Sequence, residues 1–271
     1  MSSDLFWDFE RTGWERAAAY YDDCWTDTRL VVEPLLDAAG VQAGTRLLDV
    51  ACGPGYVSEA TAARGAEAVG VDVAEAMIEL ARRRLPDLEF VMGDAQRLPF
   101  TDRSFDAVTM NFGILHLSQP LRAIAEARRV LDPAGRFAFT AWVHEGNIAA
   151  TIVDGAVAAH AVAVELPAGP GFYQFADAER CREVLIRAGF EPASVRAETV
   201  TVRWRLAGAD MLFEAELRAG VRTGAILRAQ PPERLEQIRA AIGNEVARYA
   251  DDDGFTLPIA ARLISAQAKV G

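Results

Sequence analysis

Ten residues, 47–56, constrain this chain more than any other stretch: Leu-Leu-Asp-Val-Ala-Cys-Gly-Pro-Gly-Tyr. An apolar run carries Asp49 at its end and passes at once into a Gly-X-Gly turn made by Gly53 and Gly55. Glycine permits backbone conformations and close approaches that a Cβ forbids, and the helix predicted to follow leaves amide groups free at its N-terminus. The unit is therefore a cradle for the edge of a nucleotide-like ligand. Asp49 narrows the choice, because a carboxylate there repels a pyrophosphate and suits a ligand that carries positive charge.

The pattern recurs downstream. Residues 65–72 form a second predicted strand ending on Asp72, about twenty residues beyond the glycine turn, the spacing of a ribose-binding carboxylate. Phe90-Val91-Met92-Gly93-Asp94-Ala95 places a third acid at a strand end. The fourth strand, 105–110, opens on Phe105-Asp106 and runs into Asn111-Phe112-Gly113-Ile114-Leu115-His116. Strands alternate with helices as far as Trp142, which predicts a parallel sheet with helices on both faces. Open sheets of this kind bind ligands at the carboxyl ends of their strands, where these acids fall. Each acid also has a purely local role open to it: Asp49 as a cap of the turn, Asp72 and Asp94 as N-caps of the helices after them.

Taken together, the motifs over residues 45–142 resemble class I S-adenosylmethionine-dependent methyltransferases of the small-molecule type, similar in layout to quinone-biosynthesis and natural-product enzymes. The resemblance implies a Rossmann-like seven-stranded, mostly parallel sheet with its last strand antiparallel, an N-terminal lid helix and helical cap insertions. It implies S-adenosyl-L-methionine as cofactor, held by Asp49 through the loop to the methionine ammonium, by Ala51, Gly53 and Gly55 in the turn, by Asp72 and Val73 at the ribose, by Asp94 and Ala95 at the adenine, and by Asn111 at the methionyl end. The Asx-Pro-Pro-aromatic motif of base-modifying relatives is replaced by Asn111-Phe112-Gly113. The nicotinamide fingerprint calls for a third small residue three positions on, where Ser58 stands.

Composition agrees with a small-molecule enzyme. The formal charge is -11 and Lys269 is the only lysine, whereas phosphate backbones are gripped by clustered Lys and Arg, so nucleic acid is not an expected partner. Cys24, Cys52 and Cys181 show no metal-type or Cys-X-X-Cys spacing, so no metal is expected. No apolar stretch reaches the length of a membrane span, and the first residues are acidic rather than a basic-then-apolar leader. A cytoplasmic protein is the expectation; oligomeric state is not readable.

Residues 1–271 are expected to form one methyltransferase domain: 1–27 a lid helix, 28–145 the cofactor half, 146–271 sheet completion and substrate cap. Helix 4–25 carries Trp7, Trp14, Ala18, Tyr21 and Trp25 at the spacing of one face. Further predicted helices cover 28–39, 74–84, 120–131, 147–166, 178–188 and 233–249; strands cover 136–142, 194–203 and 259–268; 206–229 is a helical cap. Transfer of a methyl group from a sulfonium needs the acceptor held in line and water excluded, with a base where the acceptor must lose a proton. His116, just past the fourth strand, is the first candidate base, since imidazole exchanges protons near neutrality; capping its own loop is the alternative role. His144, with Glu145 as its orienting partner, is the second. Tyr20, Tyr21, Trp142 and Tyr173 are the candidate substrate contacts. Two other uses of the same sheet stay open: a cofactor-binding catalyst of rearrangement or decarboxylation, and a nicotinamide oxidoreductase.

Overall fold

The computed structural model describes residues 5–270; Asp4, where the first helix was expected to begin, lies outside them. The chain opens with α1 (Leu5–Ala17), α2 (Tyr21–Cys24), a 3-10 turn over Thr26–Val31 and α3 (Val32–Ala38). Alternation then follows through β1 (Arg46–Val50), α4 (Tyr56–Ala63), β2 (Glu67–Asp72), α5 (Glu75–Arg84), β3 (Glu89–Met92), β4 (Phe105–Met110), α6 (Pro120–Val130) and β5 (Leu131–Trp142). The remainder adds α7 (Ile148–His160), α8 (Ala178–Arg187), β6 (Arg196–Leu206), α9 (Met211–Ala219), α10 (Arg222–Arg228), α11 (Pro232–Val246), β7 (Ala250–Asp251) and β8 (Gly254–Gln267).

The strands lie in the order β3-β2-β1-β4-β5-β8-β6. β1 to β5 pair in parallel, and β8 runs antiparallel between β5 and β6. The expected seven-stranded sheet with its antiparallel last strand is present, and the two-residue β7, not foreseen, pairs with β8. Sequence order reverses on either side of β1, so the crevice for a ligand opens beyond the carboxyl ends of β1 and β4. β1 is buried on both faces: Leu47 packs with Leu35, Leu36 and Val57 on one, and Leu48 and Val50 pack with Val108, Met110 and Phe139 on the other. Such two-sided burial is why the strand reads as a continuous apolar run.

Several expected boundaries shift for identifiable reasons. The first helix stops at Ala17 instead of reaching Trp25. Seven residues of helix would advance roughly 10 Å, whereas the turn after Ala17 brings the rings of Trp14 and Tyr21 within 6.0 Å. α1 also packs through Phe6, Glu10, Gly13 and Ala17 rather than through its tryptophans. The second helix is 3-10 until Val31, because Pro34 suits only the first turn of an α-helix. The helix expected over 147–166 ends at His160, where Gln230 takes both backbone groups of Val162 and holds that segment extended. β8 begins before the expected residue 259 and passes through Pro258, which pairs with Arg203 of β6 beyond the end of the β5 pairing at Trp142–Ala261. A proline is tolerated where one side of a strand lacks a neighbour.

The N-terminal segment is fastened to the sheet layer by polar contacts. Both carboxylate oxygens of Glu15 accept from the first amides of α5, Glu75 at 2.8 Å and Ala76 at 2.9 Å; the helix dipole favours that placement. Tyr56 donates its hydroxyl to Asp22, and Arg29 lies over the Tyr56 ring at 3.8 Å. Under the glycine turn the packing is tight: a Cβ on Gly70 would meet the Phe90 ring at 2.5 Å and Cys52 Sγ at 2.9 Å. Gly70→Ala should therefore lower stability by about 1–3 kcal/mol, measured by urea unfolding; an unchanged midpoint would show that the Phe90 ring yields freely.

Candidate active site

The turn after β1 is shaped by four positions: Ala51 has φ 54°, Gly53 φ 52° and Gly55 φ 85°, with Cys52 buried between them. Gly53 faces a cavity, and a Cβ there would meet no protein atom within 4 Å, so the space beside it is left for a ligand. Gly55 instead lies beneath the turn as the residue before α4, where a Cβ would strike the Phe90 ring at 2.9 Å. Its role is packing, which corrects the expectation that it touches the cofactor.

Asp72 and Asp94 border the same cavity as Gly53, together with Ala51, Val73, Ala95 and Asn111. Asp72 Oδ2 accepts from the Gly53 amide and Oδ1 from the Ala74 amide, each at 2.9 Å. Asp72 is not the N-cap of α5, a place taken by Ala74, but braces the turn ahead of it, and its oxygens can accept further hydrogen bonds from the cavity side. Burial raises the Asp72 carboxyl above its ordinary range, against the hydrogen bonds from Ala74 and Gly53. Asp94 accepts from the Gln96 amide at 2.8 Å and from its side chain at 3.1 Å.

Asp49 is placed differently from expectation. It does not border the cavity; it is 1 % exposed and sits behind the turn, where Oδ2 accepts from Ser58 N–H at 3.2 Å and Ser58 Oγ at 2.9 Å. Oδ1 has no partner among the described residues. Burial pushes its carboxyl up to about 7, over the opposing effect of the Ser58 hydrogen bonds. The acid ties β1 to α4, and any influence on a ligand acts through the turn.

Asn111 donates from Nδ2 to the Thr28 carbonyl at 3.0 Å and accepts from Thr140 Oγ1 at 2.7 Å. Thr140 in turn accepts from the Phe112 amide at 2.9 Å. This relay holds Phe112 at φ 58°, a conformation rare outside glycine, and lays its ring on Trp142 with centroids 3.8 Å apart. Trp7, Glu10, Arg11, Trp14 and Tyr21 close the cavity from the N-terminal side. Tyr20 turns outward, 41 % exposed, and borders neither cavity, contrary to expectation.

A second, wider cavity adjoins the first; Trp14, Tyr21, Phe112 and His116 border both. The expected Trp142 and Tyr173 line this second space. His116 Nδ1 lies 2.9 Å from Glu10 Oε2, and its ring meets Trp14 edge-on at 4.7 Å. Arg222 donates to the other oxygen of Glu10 and to the Leu115 carbonyl at 2.7 Å. Burial would raise the Glu10 carboxyl, but His116 and Arg222 together hold it below the usual carboxylate range. With Nδ1 engaged, Nε2 is the His116 atom left for a ligand.

His144 does not join this arrangement. It lies outside both cavities, half exposed, 3.5 Å from Asp154 and edge-on to Tyr173. Its partner is Asp154, not the expected Glu145. Sequence reasoning also missed Glu10, Asp27, Glu216 and Arg222. A charged residue four positions from Phe6 on the packing face of α1 was a usable signal for Glu10; the other three stand in no motif.

Comparison with known proteins agrees with this geometry. Residues 48–139 match the model of the methyltransferase domain family. The chain is similar to demethylmenaquinone methyltransferases: that of Renibacterium salmoninarum is 44 % identical over 116 residues, 43 % of this chain and 47 % of the relative. That of Clavibacter sepedonicus is 50 % identical over 97 residues, 35 % and 40 % of the two chains. The chain thus spans less than half the length of these curated relatives. In fold it is similar to the YcgJ protein of Bacillus subtilis, with TM-score 0.56 and 18 % identity over 89 % of this chain and 99 % of that one. It is likewise similar to the [4+2]-cyclase SpnF, with TM-score 0.53 and 21 % identity over 90 % and 82 %.

The buried acids carry a pH consequence. Asp49 ionises near its ordinary 3.8 when unfolded but only near 7 when folded, so the unfolded chain releases its proton first as pH rises. Its stabilising contribution is complete below about 3.8 and is lost as pH climbs through about 7. Thermal melts of the ligand-free protein should show a midpoint falling between about pH 5 and pH 8. Asp49→Asn should make the profile less steep, the raised carboxyls of Asp27 and Glu216 keeping part of the slope; an equally steep one in that variant would remove Asp49 as a source.

Proposed function

We propose that this chain is an S-adenosylmethionine-dependent methyltransferase acting on a small molecule, with the cofactor in the first cavity and the acceptor in the second. The observation that carries the reading is that Gly53, Asp72 and Asp94, three separate strand ends, border one space. The matched methyltransferase domain supports it. Asp72 suits the ribose hydroxyls, Asp94 and Ala95 the adenine edge, and Ala51 and Gly53 offer backbone to the rest. Bound there, S-adenosylmethionine would supply an electrophilic methyl carbon that an acceptor attacks in line with the breaking carbon–sulfur bond, the thioether S-adenosylhomocysteine leaving.

The chain's own residues do the remaining work. Trp14, Tyr21 and Phe112 stand at the junction of the two cavities and exclude water from it. His116, oriented by Glu10, is the group placed to take a proton from the acceptor, while His144 stands too far out at the rim to do so. The chain works as one unit with α1 as a cover over the first cavity, and it acts in the cytoplasm. Three buried free cysteines, and no described helix long and apolar enough to cross a membrane, support that location. The family match ends at residue 139, ahead of α7, α9 and α10, which line the second cavity, so the acceptor does not follow from the relatives' names.

Isothermal titration tests the cofactor side. Asp94→Ala and Asp72→Asn should each weaken S-adenosylmethionine binding by about tenfold or more, the range for a lost hydrogen bond to a charged group; unchanged affinity in both sinks the assignment. Glu10→Gln and His116→Ala should lose on the order of 10²-fold in turnover at saturating cofactor; unchanged turnover in His116→Ala removes it as the base. Transfer of a labelled methyl to product separates this function from a rearrangement that leaves the label on the cofactor.

A further inference from the structure

The second cavity combines features that an apolar acceptor does not explain. Its walls are aromatic, with Trp14, Trp25, Trp142, Trp204, Tyr21 and Phe172 around it. Three carboxylates, Asp27, Asp154 and Glu216, border the same space. Asp27 is 3 % exposed, and its Oδ1 is buried without a hydrogen-bond partner. The Trp25 indole N–H is likewise buried and unpartnered. Glu216 has no hydrogen bond or ion pair among the described residues and stands in the last turn of α9, where the helix dipole disfavours a negative charge. Neither acid is in a salt bridge among the described residues, and Glu216 finds no support from its own helix.

The basic groups at the cavity do not balance these acids. Arg222 and His116 are both turned to Glu10. His144 approaches Asp154, and the Tyr173 hydroxyl also reaches that carboxylate at 3.3 Å, so Asp154 is partnered at the mouth. Asp27 and Glu216 remain as two acidic groups with no cation beside them among the described residues, set against aromatic faces. Burial accordingly pushes the Asp27 carboxyl up to about 7 and Glu216 to about 8, the latter helped by the charges of Asp154 and Asp27. An orphaned buried carboxylate is costly unless an occupant supplies its partner. Aromatic faces attract the same kind of occupant through cation–π interaction.

We propose that the second cavity binds a protonated organic amine with an apolar or aromatic body, its ammonium seated between Asp27 and Glu216. That this amine is the methyl acceptor rests on the methyltransferase reading; the binding preference does not. The Trp25 N–H gives the occupant a place for one acceptor atom. A neutral quinol of similar shape could donate hydroxyl hydrogen bonds to these carboxylates but supplies no positive charge, which separates this acceptor class from the one in the relatives' names.

Calorimetric titration of the full chain with paired probes tests the inference: tryptamine against tryptophol, tyramine against tyrosol, and a menaquinol-like dihydroxynaphthalene, each with and without S-adenosylhomocysteine. At least one amine should bind tenfold or more tightly than its alcohol. Asp27→Asn and Glu216→Gln should each reduce that ratio below threefold while S-adenosylmethionine affinity stays within threefold and the melting temperature does not fall. Equal binding of amines and alcohols, tighter binding of the dihydroxynaphthalene, or no binding by any amine overturns the proposal. Amine preference in a protein that fails to bind S-adenosylmethionine would leave the amine site standing and remove the methyltransferase reading.

Discussion

The carboxylate of Asp72 is the contact on which the nucleotide half depends. One oxygen receives the Gly53 amide and the other the Ala74 amide, so a single side chain fixes the glycine turn after β1 against the entry to α5. It adds to the backbone bonds of the turn itself, Cys52 N–H to the Val71 carbonyl and Gly55 N–H to the Cys52 carbonyl, in holding the left-handed bends. The residue is buried and its carboxyl is raised by burial. Two backbone donors lower that cost, and hydroxyl donors from a sugar would lower it further. Structure and binding therefore draw on the same two oxygens.

The strand ends were legible because each packs a hydrophobic run against known neighbours and then stops at an acid. Asp72, Asp94, Ala51 and Gly53 border one cavity at the carboxyl ends of the strands. Asp49 shows the limit of such reading: a strand-end acid has two sides to face, and only the three-dimensional position of Ser58 reveals that it faces inward. The second cavity was less legible for a related reason. It is assembled from α7, α9, α10 and the turn around Asp27, segments far apart in sequence that share no spacing rule. Tyr20 and Tyr21 are adjacent, yet the turn after Ala17 sends one outward and one into the site.

The two cavities also differ electrostatically. The first offers carboxylates already engaged by backbone amides, a setting ready for hydroxyl and amine donors. The second keeps Asp27 Oδ1 without a hydrogen-bond partner, and Glu216 without an ion pair among the described residues, beside aromatic rings. Local rules for stability are broken there, as functional regions commonly break them. Phe112 belongs to the same category, since its left-handed backbone is held only by the Asn111–Thr140 relay and places an aromatic face where the two spaces meet.

Glu10 joins three elements that are otherwise independent: α1, the turn carrying His116, and α10 through Arg222. Swinging α1 aside to admit a bulky nucleoside would strip one anion from two bases in a single movement. On the proposed function, one ion bolts both the cover and the imidazole assigned as base, so an opened cover would leave that imidazole without its orienting carboxylate.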